Sequence, residues 1–151
     1  MMLCLLAARQ ATAEPVLRAY AGANGVWYDG DNPNDFEAGG NLRASLSPHI
    51  SLVGAGYYGF SHSYLRGSAG LRITATDAND PNFSVGIGMQ RHFSSEPDIR
   101  PEEWAPDASI GWRPWAATNP RVILIAQAGY GLDTEKAFAL AGVRYEFGGE
   151  R

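Results

Sequence analysis

The sequence predicts an all-β chain that closes as an antiparallel, up-and-down, eight-stranded transmembrane β-barrel. Three observations carry that expectation. Eight short stretches alternate apolar residues with polar or very small ones at period two, most clearly over residues 36–46 and 83–90, which is the signature of strands with two unlike faces. The polar face is mostly glycine and serine with sparse Arg and Glu (Gly39, Ser45, Gly70, Gly86, Gly88, Gly129, Gly142), as expected where an eight-stranded lumen barely has room for side chains. Lastly, no run approaches the roughly 18 apolar residues of a membrane helix.

With 151 residues the chain is sized for one domain. Its formal charge of −4 argues against nucleic acid as a partner, because neutralising phosphates takes an excess of basic residues. Lys136 is the only lysine against eleven arginines. That bias suits enclosed ion pairs, where a planar, weakly hydrated guanidinium is preferred over an ammonium.

Residues 1–13 read as the remnant of a secretory signal, with an apolar stretch and then Ala11-Thr-Ala13 as a small-residue cleavage site before Glu14. The basic start of such a signal is missing, which suggests a late-assigned start codon. Residues 14–151 then form the single barrel domain. Cys4 lies in the removed segment, so the mature chain has no cysteine for disulfides or thiolate metal sites.

The first strand runs over about residues 16–28, with Leu17, Ala19, Ala21, Ala23 and Trp27 opposite Arg18, Tyr20, Gly22 and Asn24. Residues 29–35 make a polar, turn-rich loop. The second strand, residues 36–46, sets Phe36, Ala38, Leu42, Ala44 and Leu46 against Glu37, Asn41, Arg43 and Ser45, and Ser47-Pro-His49 turns tightly. In the third, about residues 50–61, Ile50, Leu52, Tyr58 and Phe60 share a face. A connection over residues 62–66 leads to the fourth, where Ala69, Leu71, Ile73 and Ala75 oppose Ser68, Gly70, Arg72 and Thr74.

After a turn at residues 77–82, the fifth strand places Phe83, Val85, Ile87 and Met89 against Ser84, Gly86, Gly88, Gln90 and His92. An acidic loop follows over residues 94–106, carrying Glu96, Asp98, Glu102 and Glu103. The sixth strand, about residues 107–115, opposes Ala108, Ile110 and Trp112 to Asp107, Ser109 and Arg113, and residues 116–120 close it. In the seventh, residues 121–132, Val122, Leu124, Ala126, Ala128 and Tyr130 alternate with Gln127, Gly129 and Gly131, while Ile123 and Ile125 interrupt the polar face. Residues 133–136 turn into the last strand, where Val143, Tyr145 and Phe147 oppose Arg144 and Glu146.

Alternation by itself fits a soluble barrel as well as a membrane one, since the two differ only in which face lines the lumen. The small polar face favours apolar residues outside, with Leu42, Leu71, Ile73, Val85, Ile87 and Leu124 facing lipid. Aromatics clustered near strand ends, Trp27, Tyr58, Phe60, Trp112, Tyr130, Tyr145 and Phe147 among them, match the interfacial girdles of outer-membrane barrels. A soluble or periplasmic barrel holding a small apolar ligand is the alternative.

The signal-like start, strands of about ten residues, outward acidic loops and the closing Val143-Arg-Tyr-Glu-Phe147 together resemble the small outer-membrane barrels of the OmpA and OmpX type. The resemblance covers about residues 16–147. It implies a monomer in the bacterial outer membrane, in contact with membrane lipid and lipopolysaccharide. It also implies that Tyr145 and Phe147 belong to the end signal read by the barrel-assembly machinery, set slightly inboard here because residues 148–151 follow.

Enclosed charges must pair, because an unpaired ion away from water is very costly. Arg18, Glu37, Arg43, Arg72, Arg113, Arg144 and Glu146 are therefore expected to form an ion-pair network that plugs the lumen, acting structurally while the loops act at the surface; a narrow pore with switching pairs is the functional alternative. His62-Ser63 raises the possibility of a lipid-modifying esterase. Neighbours on a strand face opposite ways, however, and no His-x-Ser-Asn motif is present, so no catalytic residue is assigned. His49, His62 and His92 fall on three elements without ligand spacing, so neither a metal site nor a cofactor is expected. Arg91, in phase with the apolar face at the outer end of its strand, is positioned to meet a lipid phosphate.

Overall fold

A computed structural model describes residues 16–29, 34–47, 49–74, 82–94 and 103–147. The signal segment with Cys4, most of the first and third outward loops, the turn at residues 75–81 and the tail after Phe147 lie outside the described residues.

Eight strands form in chain order: β1 (Leu17–Tyr28), β2 (Asp35–Ser45), β3 (Ile50–Gly59), β4 (Tyr64–Thr74), β5 (Phe83–Ser94), β6 (Trp104–Trp112), β7 (Val122–Tyr130) and β8 (Ala137–Phe147). Each pairs antiparallel with its sequence neighbour, and β8 returns to β1 to close the barrel. The closing register runs from Ala19↔Phe147 to Tyr28↔Phe138. Closure leaves no open sheet edge, so the ladder groups are satisfied between strands, as a hydrocarbon environment demands. Leu17 and Phe147 end at one rim, together with the β2–β3, β4–β5 and β6–β7 connections; the other four connections share the opposite, outer rim.

The apolar face points outward. Leu42, Leu71, Ile73, Val85 and Ile87 are exposed, and Leu124 lies on the same face, half-covered. Two aromatic belts bound this wall: Trp27, Phe36, Tyr58, Phe60, Phe93, Trp104 and Tyr130 near the outer rim, and Phe83, Trp112, Trp115, Tyr145 and Phe147 near the other, all exposed. Phe83 and Phe93 are ten residues apart on β5. At about 3.3 Å per residue and a tilt near 40°, that spacing gives a height of roughly 25 Å, the apolar band of an outer-membrane barrel.

Two strands begin earlier than the pattern suggests. β4 starts at Tyr64, so Arg66, assigned above to a connection, is a strand residue whose side chain points into the lumen. β6 starts at Trp104 and ends at Trp112, so the third loop is shorter than expected and Arg113 lies just past the strand. Residues 104–106 belong to the expected acidic loop, and Pro106 is at odds with a strand because proline cannot donate to a ladder. Trp104, of the same phase, accepts the Leu132 amide on the β7 side at 3.0 Å. The missing N–H of Pro106 therefore faces that side, where pairing with β7 starts only at Asp107↔Gly129.

Candidate functional site

The inward residues stack in three layers. In the layer nearest the chain ends, Glu146 receives one guanidinium on each oxygen: Arg18 on Oε1, and Arg113 on Oε2 at 2.6 Å. Arg113 also donates to the Pro120 carbonyl. Arg43 Nε donates to Ser51 Oγ at 2.9 Å, and Ile123 adds a buried apolar side chain.

Glu37 organises the middle layer. Arg66 meets it in a fork, Nη2 on Oε1 and Nε on Oε2, the latter at 3.1 Å. Asn24 Nδ2 donates to Oε1 at 2.6 Å and the Tyr64 hydroxyl to Oε2 at 3.1 Å. Arg66 continues to Gln90 Oε1 at 3.1 Å, which Gln127 also reaches. Arg144 donates to Asn24 Oδ1. The Arg66 and Arg144 guanidinium carbons lie 4.8 and 4.6 Å from the Tyr57 ring centroid, so one aromatic ring serves two cations. Beside this layer a cavity of about 60 Å³ is lined by Arg72, Asp107, Ser109 and Gln127, among others.

The outermost layer is apolar and aromatic. Tyr64, Val26, Leu140, Phe138 and Ala105 are buried here. His92 stands edge-on to both Tyr64 and Phe138, at 5.5 and 6.3 Å between centroids, and Tyr28 reaches its Nε2 at 3.3 Å. Glycines make the room. A Cβ on Gly59 would lie 2.0 Å from the Tyr64 ring, and one on Gly129 would lie 2.2 Å from Phe138.

The expected ion-pair network thus needs correction. Arg18, Arg113 and Glu146 are joined, but Glu37 is held by Arg66, which the sequence reading had outside any strand. With the Glu37 oxygens taken, Arg72 meets Ser109 Oγ at 3.4 Å and Arg144 meets Asn24, neutral partners in place of carboxylates. The aromatic outer layer was missed as well. Phe138 and Leu140 were the available signal, apolar residues in the polar phase of β8.

Carboxylates tie the outer rim together. Asp35 Oδ1 accepts the amides of Phe36 at 2.6 Å and Ser61 at 3.0 Å, and Oδ2 pairs with His62 Nδ1 at 3.0 Å. His62 and Ser63 lie in a turn rather than on a strand, and Ser63 has φ 47°. Glu103 accepts the amides of Asp133 and Thr134 at 3.3 and 3.1 Å, plus the Thr134 hydroxyl. Each clamp joins the start of one strand to a neighbouring turn. Among the described residues, no three His, Cys, Asp or Glu side chains gather as a metal site.

No family model and no curated protein matches this chain. Among solved structures, a de novo designed transmembrane β-barrel superposes with a TM-score of 0.58 at 14% identity, over 86% of this chain and 95% of its own. Ail, the attachment invasion locus protein of Yersinia pestis, gives 0.52 at 16% identity over 89% of this chain and 100% of its own. The same protein in complex with the heparin analogue sucrose octasulfate gives 0.50 at 16% identity, with coverage of 89% and 100%. At these identities the likeness is one of fold. It is the fold of the OmpA- and OmpX-type barrels that the sequence resembles.

Proposed function

We propose that this chain is a non-conducting barrel of the bacterial outer membrane, a monomer whose lumen is plugged and whose outward connections meet the extracellular surroundings. The single observation behind this reading is the layered filling of the lumen, with ion pairs at one end, the Glu37 cluster in the middle and the aromatic layer at the other. A barrel without a passage does its work on its surface. Membrane lipid and lipopolysaccharide surround the apolar wall, and Tyr145 and Phe147 on β8 serve as the signal for the assembly machinery.

The outward connections favour one kind of contact. Asp29 and Asp31 in the first, Glu96, Asp98, Glu102 and Glu103 in the third, and Asp133 and Glu135 in the last outnumber Arg100 and Lys136. Such loops repel polyanions and attract basic or cation-bridged partners. An Ail-like surface role on this chain therefore belongs with a cationic partner rather than a heparin-like one.

Planar-bilayer recording of the purified protein, beside Glu37→Ala and Arg72→Ala, tests the plug. No channel events are expected from any of the three, because the aromatic layer stays in place in both variants; regular conductance steps from the unmodified protein would replace this reading with the narrow-pore one.

A further inference from the structure

Every outward-facing position on the eight strands is apolar, glycine or tyrosine, with one exception. On β5 the outward series runs Phe83, Val85, Ile87, Met89, Arg91, Phe93, and Arg91 is the only charged side chain on the wall among the described residues. A guanidinium facing lipid is costly at the bilayer midplane and costs close to nothing near the interface. Arg91 stands at the cheap depth. It lies two residues inside Phe93, so at about 3.3 Å per residue and a tilt near 40° its Cα is roughly 5 Å beneath the outer aromatic belt, a span an extended arginine covers by snorkelling.

The neighbourhood shapes a site around it. The Arg91 guanidinium carbon lies 5.3 Å from the centroids of both Phe93 and Trp104, so two rings steer the side chain and hold its stem in the belt. Across the ladder Arg91 pairs with Trp104 on β6 and with Gly67 on β4. The nearest atom to a Cβ built on Gly67 is 3.8 Å away, on Phe93, which leaves an open niche on the β4 side.

We infer that Arg91, framed by Phe93, Trp104 and the niche over Gly67, is a binding site for the phosphate of an outer-leaflet lipid headgroup. A guanidinium presents paired donors that match two phosphate oxygens, and the outer belt is the depth at which headgroup phosphates lie. This site deepens the proposed outer-membrane role and rests on it.

The test uses the full chain folded in octyl glucoside, a detergent without phosphate, and follows the urea midpoint of the heat-modifiable gel band as diphosphoryl lipid A is added. The unmodified protein should gain stability with added lipid A. Arg91→Leu, which makes the wall uniformly apolar and should fold, should show apparent affinity at least about tenfold weaker, as expected for losing a charge-assisted hydrogen bond; Arg91→Lys should fall between. Equal gains in the unmodified protein and Arg91→Leu would overturn the site. An equal response to inorganic phosphate would overturn the lipid as its source. A protein with no heat-modifiable folded form in any detergent or lipid would instead overturn the barrel reading beneath it.

Discussion

Glu37 accepts from Arg66, Asn24 and Tyr64 while fully buried, which makes it the residue whose loss should cost most. Removing one partner of a buried pair leaves a stranded charge and typically costs about 3–5 kcal/mol, whereas replacing both by apolar groups of similar volume is neutral or stabilising. Glu37→Ala should therefore lower the urea midpoint sharply, and Glu37→Leu combined with Arg66→Met should restore most of it. A double variant as unstable as the single would show that Asn24 and Tyr64, not the ion pair, set the cost. Glu37 was legible in the sequence as an isolated acid on a polar strand face. Its partner was not: Gly59-Phe-Ser-His-Ser-Tyr-Leu-Arg66 contains a turn whose limits alternation does not mark, and shifting the strand start from Tyr64 to residue 67 leaves Arg66 outside it.

At the scale of a strand, the two faces experience different solvents, and the penalty for crossing them should depend on depth. Ile87, opposite Leu71 on β4 and Ala108 on β6, lies well inside the wall, while Phe83 lies in the belt at the other rim. Ile87→Arg should destabilise the folded barrel in bilayers by about 2–4 kcal/mol and Phe83→Arg by about 0–1, read from urea titrations in phospholipid vesicles. Equal costs at the two positions would argue against a bilayer around this face. Alternation revealed these faces because the period of a strand is two whatever the turn chemistry. Strand ends were harder, and β6 shows why: Pro106 breaks the local rule, and only the late start of the β6–β7 ladder makes it harmless.

Across the whole molecule, closure of eight strands puts both described chain ends at one rim and the Glu103-clamped β7–β8 turn at the other. Lys136, the only lysine, sits in that turn, so a lysine-specific protease has one site in the chain. On intact cells the protease should cut there, slowly in the unmodified protein and several-fold faster in Glu103→Ala, where the Asp133 and Thr134 amides lose their acceptor; this is read from the fragment pair on a gel. Cleavage only after the cells are broken would invert the orientation.

The amino-acid sequence determined the class of fold, the strand count and which face carries the apolar residues, because each follows from short-range periodicity and from the scarcity of bulky polar side chains. It also singled out Arg91 by phase alone. Only the tertiary structure decided which charges meet. Partnership inside a barrel depends on strand register and on side chains arriving from walls far apart in the chain: Arg18 with Glu146, Arg66 with Glu37, and Tyr64, His92 and Phe138 in the outer layer.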